Sequence, residues 1–348
     1  MKAIGFERHL PIDHPEAFRT FDLPVPEPGP HDLRVAVEAV SVNPVDTKVR
    51  APRHADPDHP DNRADPAPRV LGFDALGVVD AVGDAVSRFQ PGDVVFYAGD
   101  IGRPGSNAEF QLVDEAIVGH APRGIDPADA AALPLTALTA WETLFDRLGM
   151  DPDGADAGTP VLLINGAGGV GSMAIQLARA AGLKVIATAS RRESQQWCRE
   201  LGADVVVDHF GDLSAQLAEH RLESIPAIAC FNDLDRHYPA MAQLVAPQGR
   251  LASIVGNKTP LPFQELRDKS VGFFWEYMFT RPRFDTPDKG RQGEILDTVA
   301  GMLEARRLKT TRHEALGRIN ADNLRAAHRA LEGGHVIGKL TLAGFDEQ

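Results

Sequence analysis

The segment Val161-Leu-Leu-Ile-Asn-Gly166-Ala-Gly168-Gly169-Val170-Gly171-Ser-Met-Ala-Ile-Gln-Leu-Ala-Arg-Ala-Ala-Gly182 constrains the chain more than any other stretch of it. Four apolar residues suited to a buried strand run into a glycine-spaced turn, and an apolar helix follows at once and stops at a glycine. Glycines at 166, 168 and 171 let the backbone turn sharply, approach a ligand without a Cβ in the way, and pack the helix closely on the strand. The first turn of the helix then offers free N–H donors and a positive dipole end to an anion. A glycine pattern alone is weak, but in this context it predicts dinucleotide binding over Gly166, Gly168, Gly169, Val170 and Gly171 rather than a merely structural turn.

The flanking sequence repeats the theme. Apolar runs at Lys184 to Ala189, Val205 to Val207, Ala227 to Phe231 and Leu251 to Val255 are separated by helical stretches, which predicts an α/β fold with a doubly wound parallel sheet covered on both faces. In such a sheet the dinucleotide is selected at the end of the second strand, where a carboxylate would accept the ribose 2′-hydroxyl of NAD. Here stands Ala189-Ser190-Arg191-Arg192, with no carboxylate at the strand end. An arginine fork matches a 2′-phosphate in charge and geometry, so NADPH is the expected cofactor, with Ser190 and Arg191 among its contacts. The alternative reading leaves both arginines as solvated surface residues beside Glu193.

Ahead of this unit the character is all-β. Strand patterns at Leu33 to Val40, Gly77 to Val82 and Asp93 to Tyr97 are punctuated by Pro24, Pro26, Pro28, Gly29, Pro30 and the turn Pro91-Gly92-Asp93, which reads as a compact barrel. Between Ala51 and Pro68 a Pro- and Asp-rich stretch carries almost nothing to bury, and a mobile excursion is expected there, either an inert surface loop or a flap beside a substrate. From Ala128 to Leu148 an Ala/Leu-rich helical pattern leads into the nucleotide-binding part. Beyond Glu294 come two more helical patterns and a final strand, Gly338 to Ala343, which suggests a tail that rejoins the front domain. At 348 residues the chain is long enough for two domains.

Charge and cysteine usage exclude several classes. With 36 basic and 49 acidic residues the net charge is −13, which repels phosphate backbones and anionic lipid, so no nucleic-acid and no membrane partner is expected. Glu7, Arg8 and His9 interrupt any apolar leader, and only Cys198 and Cys230 are present, which fits a reducing cytoplasm and excludes a disulfide framework. Both thiols are expected to be structural.

The arrangement of a β-rich front, a central nucleotide-binding domain and a returning tail resembles the medium-chain dehydrogenase/reductase superfamily along essentially the whole chain. Ser41-Val-Asn43-Pro44-Val-Asp46 resembles the N-P-x-D segment of its quinone oxidoreductase (zeta-crystallin) branch. Gly72-Phe-Asp-Ala-Leu-Gly77, continuing to Gly83 and Gly92-Asp93-Val94-Val95, is similar to that branch's glycine-spaced stretch. More narrowly, Tyr97 to Phe110 and Trp275 to Thr280 resemble the subgroup labelled zinc-type alcohol dehydrogenase-like. The resemblance implies a GroES-like substrate domain at residues 1–125 and 280–348 and a Rossmann domain at 126–279.

The subgroup's label conflicts with the residues. A catalytic zinc wants three protein ligands and a structural one wants four cysteines. Where the zinc enzymes have their first metal-binding cysteine this chain has Asn43, and where they have Gly-His-Glu it has Gly72-Phe73-Asp74; the third ligand would fall near Pro134 to Thr136, again without cysteine. No zinc is expected. Without a Lewis acid, deprotonating an alcohol is hard, whereas giving hydride to an electron-poor acceptor needs mostly alignment, so reduction of a quinone or an α,β-unsaturated carbonyl is the expected reaction. A carbonyl reductase or alcohol dehydrogenase is the enzymatic rival, and a non-catalytic NADPH-binding or sensor protein the rival from another class.

By carry-over from the branch, the candidate catalytic residues are Asn43, Asp46, Tyr97 and Thr139. Asn43 either donates to a substrate oxygen or anchors an Asn-Pro turn; Asp46 orients Lys48 or Arg50 rather than moving protons; Tyr97 is a proton donor or a packing residue; Thr139 lies near the nicotinamide carboxamide. Further cofactor contacts implied by the resemblance are His209, Asn232, Val255, Gly256, Phe273 and Phe274, with Lys339 either reaching the cofactor or solvated. The branch also implies a homodimer through the sheet edge between Leu251 and Phe279.

Overall fold

The computed structural model describes residues 1–65 and 67–346; Pro66 of the Pro/Asp-rich stretch and the last two residues of the tail lie outside them. The chain divides into two compact units: Met1–Leu135 with Phe279–Arg306 and Thr310–Gln348, and Thr136–Met278 with Arg307–Lys309.

The second unit is a Rossmann fold. Its six strands, Pro160–Ile164, Lys184–Thr188, Val205–Val207, Ile225–Cys230, Val245–Ser253 and Gly272–Trp275, are all parallel. Taken in chain order they lie 3-2-1-4-5-6 across the sheet, so the direction of winding reverses between Pro160–Ile164 and Ile225–Cys230. Leu162, Ile164, Ile186, Ile228 and Leu251 are fully buried in one cluster, each worth about 1.5–3 kcal/mol of apolar burial. Two strand assignments differ from the expectation. The fifth strand begins at Val245 rather than Leu251, because the Pro-Gln-Gly stretch that looks like a turn is carried as an irregularity with Gln248 at φ 61°. The aromatic run after Val271 contributes a sixth, edge strand.

The Ala/Leu-rich stretch is not one helix. It forms Pro127–Ala131, Pro134–Trp141 and a π-helical turn Glu142–Arg147. Pro134 lacks the N–H an uninterrupted helix would need. The first boundary between the units falls inside Pro134–Trp141, at Leu135–Thr136 rather than near residue 125.

The first unit is the β-rich GroES-like domain. Its larger sheet runs Arg312–Ala315, Lys339–Ala343, Asp32–Val42, Ala75–Val82, Val94–Tyr97 and Gly119–His120, with Phe110–Asp114 also paired to Asp32–Val42. A smaller sheet joins Arg19–Asp22, Lys2–Phe6 and Arg69–Val70. The tail strand lies antiparallel to Asp32–Val42 with Leu340 opposite Val42. That register brings Lys339 beside Asn43, the residue that follows the long strand.

The stretch from Ala51 has more internal structure than its composition suggests. Asn62 is completely buried. Its side chain accepts from the backbone N–H groups of Arg53 and His54 (2.8 and 3.0 Å) and donates to the carbonyls of His54 and Asp56 (3.0 and 2.7 Å). One amide thus satisfies four groups that would otherwise need water. Among the described residues no helix is long and apolar enough to cross a membrane.

Candidate active site

In the Rossmann unit the glycine turn follows Ile164 directly. Asn165 takes the left-handed region at φ 70°, and the helix Gly169–Ala180 starts from Gly168, which has no side chain to cap its first N–H groups. The three motif glycines do different things. A Cβ on Gly171 would lie closer than 3.0 Å to the Asn165 carbonyl and the Gly166 backbone, so that glycine allows the turn to close. A Cβ on Gly166 would stand 2.8 Å from the Ala187 methyl and 3.2 Å from the Cys198 sulfur, so that one allows helix and strands to pack. A Cβ on Gly168 would press only on the flexible Asn165 amide, at 2.9 Å; nothing in the fold itself requires a glycine there as firmly. A bare cradle of N–H groups under an uncapped helix start fits a pyrophosphate.

Of the other sequence-predicted cofactor residues, Ser190, Arg191, His209, Asn232, Val255 and Gly256 come to the same edge of the sheet because each follows a parallel strand. Thr188, buried at the end of the second strand, accepts from the Asn165 N–H at 3.0 Å and holds His209 Nδ1 at 3.1 Å. Thr188 thereby ties the glycine turn to the loop after the third strand, a role that sequence reasoning missed. Arg191 and Ser190 follow, and the Arg191 backbone N–H is held by the Ser194 hydroxyl at 3.1 Å, which starts the helix Arg192–Glu200. After the fourth strand, Asn232 Oδ1 is buried without a hydrogen-bond partner among the described residues, an acceptor left over for a ligand donor. Val255 and Gly256 follow the fifth strand, with the Ser253 hydroxyl donating to the Val255 carbonyl at 2.9 Å. Burial lowers His209 below the usual imidazole range and takes His237 down to about 4, so both rings are neutral at pH 7.

Phe273 and Phe274 lie within the edge strand rather than beyond its end. Phe273 packs against Phe263 and Trp275 (centroids 5.0 Å each), and Phe274 lies under the Arg250 guanidinium. Their rings serve the sheet edge. Thr139 is buried in Pro134–Trp141, and its carbonyl accepts from the Thr143 hydroxyl at 2.7 Å.

In the GroES-like unit, Asn43, Asp46 and Lys339 meet around a residue that sequence reasoning did not single out as a centre, Asp74. The Lys339 ammonium donates to Asp74 Oδ2 at 2.9 Å, to the Val42 carbonyl at 3.2 Å and to Asn43 Oδ1. Asn43 Nδ2 in turn donates to Asp74 Oδ2 at 2.7 Å and to the Phe73 carbonyl at 3.3 Å. The Ser41 hydroxyl and the Leu135 N–H, each at 2.7 Å, complete the shell of the Asp74 carboxylate. Lysine and aspartate side chains are 3% and 0% exposed.

This geometry revises three expectations. Asn43 has its amide fully used inside the domain, which favours the anchoring role over donation to a substrate. Lys339 spends all three donors here, so it is neither solvated nor free to reach a cofactor. Asp46 does not orient Lys48 or Arg50; its two oxygens accept from the Asn43 N–H (2.8 Å) and the Gly72 N–H (3.1 Å). Asn43-x-x-Asp46 is a capping box at the start of Pro44–Arg50, a signal readable from the sequence. Burial pushes the Asp46 carboxyl up to about 7, against the pull of those two N–H groups and of Lys339.

Tyr97 ends its strand opposite Ala75, the neighbour of Asp74. It is 1% exposed, and among the described residues its hydroxyl finds no partner. Burial raises this phenol well above its ordinary range. Both cysteines are buried, and burial pushes each thiol up to about 12, as expected of structural residues. Among the described residues no three or more His, Cys, Asp or Glu side chains stand where they would hold a metal ion; His54 and His59 simply stack on each other at 3.8 Å.

Residues 29–123 match the alcohol dehydrogenase GroES-like domain family and residues 169–279 the zinc-binding dehydrogenase family. The chain is 43% identical over 343 residues to a zinc-type alcohol dehydrogenase-like protein of Staphylococcus epidermidis, covering 98% of this chain and 99% of that one. The crystal structure of a Rhizobium etli CFN 42 protein that carries a zinc-dependent alcohol dehydrogenase description superposes with a TM-score of 0.91 at 45% identity, over 100% and 99% of the two chains. A quinone oxidoreductase of Pseudomonas syringae pv. Tomato DC3000 superposes with a TM-score of 0.79 at 26% identity, over 98% and 99%. Two matched domains and near full-length identity make this chain an oxidoreductase of the medium-chain dehydrogenase/reductase superfamily, in the company of the zinc-type alcohol dehydrogenase-like proteins.

Proposed function

We propose that the protein reduces quinones or α,β-unsaturated carbonyls with NADPH and needs no zinc to do so. The observation that carries this reading is the Lys339 ammonium on Asp74 and Asn43. Asn43, Phe73 and Asp74 occupy the positions that resemble the metal-binding stretches of the zinc enzymes. A phenyl ring offers no lone pair, and the two polar members are already engaged with an internal cation. The donor set therefore suits a filled polar core and not a zinc centre, whatever the label of the relatives.

When bound, reduced nicotinamide supplies the hydride. The chain's own residues bind and orient. N–H groups from Gly168 to Gly171 receive the pyrophosphate, Arg191 and Ser190 the 2′-phosphate, and the Asn232 amide a donor of the nucleotide. The Tyr97 hydroxyl, dry and unpartnered among the described residues, is the group we assign to donate a hydrogen bond to the acceptor's oxygen as negative charge grows there. Its raised pKa keeps the proton on it until that oxygen becomes basic. Among the described residues the edge strand Gly272–Trp275 has a neighbour on one side only, and its last residue, Trp275, is 47% exposed; a second copy of the strand is the partner we assign to it.

A steady-state screen of quinones, enones, aldehydes and alcohols with NADPH and NADH, before and after chelator treatment and with elemental analysis, tests the reading. Turnover of a quinone or enone with NADPH that survives metal removal is the expected result. One zinc per chain required for activity, or turnover confined to alcohols and aldehydes, overturns it, and tight NADPH binding with no turnover marks a sensor.

A further inference from the structure

The loop after the third Rossmann strand and the first turn of the helix Leu234–Leu244 hold a cation that nothing in the fold requires. Arg236 stacks its guanidinium on the Phe210 ring, 4.4 Å from the centroid. Phe210 is 61% exposed, so burial is not what holds the pair together. Arg236 is exposed, and among the described residues it has no carboxylate partner. The Phe210 ring meets His209 edge-on at 4.7 Å, and His209 Nδ1 is held by Thr188, the last residue of the second strand. A line of contacts thus runs from the strand end that selects the nucleotide, through Thr188, His209 and Phe210, to a spare guanidinium.

Building on the NADPH reading above, we propose that Arg236 is a second phosphate-reading residue, which acts with Arg191 to select a nucleotide carrying a 2′-phosphate. Three features support the assignment. Stacking on an aromatic face fixes the guanidinium plane and leaves its N–H edge open for a bidentate contact with phosphate. The Thr188 hydroxyl accepts from the Asn165 N–H and contacts His209 Nδ1, which ties the imidazole beneath Phe210 to the end of the second strand. The charge of Arg236 also acts on His209 and His237, helping to hold both rings neutral, so it lies close to the strand-end cluster. The pyrophosphate has its own cradle at Gly168–Gly171. The anion that we assign to Arg236, beside the Phe210–His209–Thr188 contacts that lead to the end of the second strand, is therefore the 2′-phosphate.

Binding of 2′,5′-ADP and 5′-AMP to the full-length wild type, Arg236→Ala and Arg236→Lys, followed by calorimetry, tests the proposal, with NADPH and NADH as a second pair. Arg236→Ala should weaken 2′,5′-ADP and NADPH about tenfold, the usual worth of one charge-assisted contact, and leave 5′-AMP and NADH within a factor of about two. Arg236→Lys should fall between. Equal losses for both members of a pair, or no loss for either, overturns the role of Arg236. Wild type that fails to distinguish 2′,5′-ADP from 5′-AMP overturns the NADPH reading as well, so the two failures are separable.

Discussion

Lys339 and Asp74, separated by 265 residues in the chain, form a fully buried ion pair with 2.9 Å between Nζ and Oδ2. Each is also bound to Asn43, so one ammonium, one carboxylate and one amide close a triangle at the end of the long strand Asp32–Val42. Removing one partner strands a charge in a site that water does not reach. Lys339→Met should therefore lower unfolding free energy by about 3–5 kcal/mol. The double variant Lys339→Met with Asp74→Asn should recover part of it, because no lone charge remains. Urea denaturation of the set measures the coupling. Additive losses would mean that the pair is not a unit.

The motif glycines should separate in their effects. Gly171→Ala presses a methyl group on backbone that cannot yield, so overpacking should cost about 1–3 kcal/mol and lower the thermal midpoint. Gly168→Val crowds only the Asn165 amide within the fold but fills the cradle, so it should keep a near-normal melting curve and lose NADPH affinity at least about tenfold. Paired thermal melts and NADPH titrations check both. Normal binding by Gly168→Val would remove the pyrophosphate from this turn.

Tyr97→Phe deletes a hydroxyl that has no partner to lose among the described residues. Stability should stay the same or rise slightly. If the hydroxyl serves the acceptor's oxygen, kcat should fall about 10²-fold or more while the KM for NADPH holds. An unchanged kcat would leave Tyr97 as packing.

Acid should loosen the GroES-like unit through His328. This ring is completely buried, with Arg50 Nε at 3.3 Å from its Nδ1, and burial first and the Arg50 charge second bring it down to about 3. The unfolded chain takes up a proton near the ordinary value of 6.5 and the folded one does not. Stability is thus lost as pH falls from about 6.5 toward 3. The loss should be about 2 kcal/mol between about pH 6.5 and 5. Denaturation midpoints across that range should slope less in His328→Leu. An unchanged slope would assign the acid sensitivity elsewhere, with His237 the next candidate.

Much of the nucleotide-binding half is legible in the order of its residues. Strand, glycine turn and helix follow one another within a short stretch, and each is specified by local spacing, by backbone freedom at glycine and by the apolar period. The residues placed after successive strands are legible for the same reason, because a parallel sheet delivers every such position to one edge. Less is readable where local pattern and packing disagree. The Pro-Gln-Gly stretch before Leu251 looks like a turn yet lies within a strand, and Asn62 looks like a loop residue yet is the buried clamp of its segment.

The sequence by itself thus determined the cradle, the order of strands along the chain and the absence of thiolate ligands from the stretches that resemble metal sites. Tertiary structure alone decided what Lys339, Asn43 and Asp74 do. Nothing local distinguishes a buried lysine from a solvated one; the antiparallel register that sets Leu340 against Val42 carries the ammonium into the domain. Its charge is tolerable there only because an aspartate and an amide from distant parts of the chain arrive at the same point.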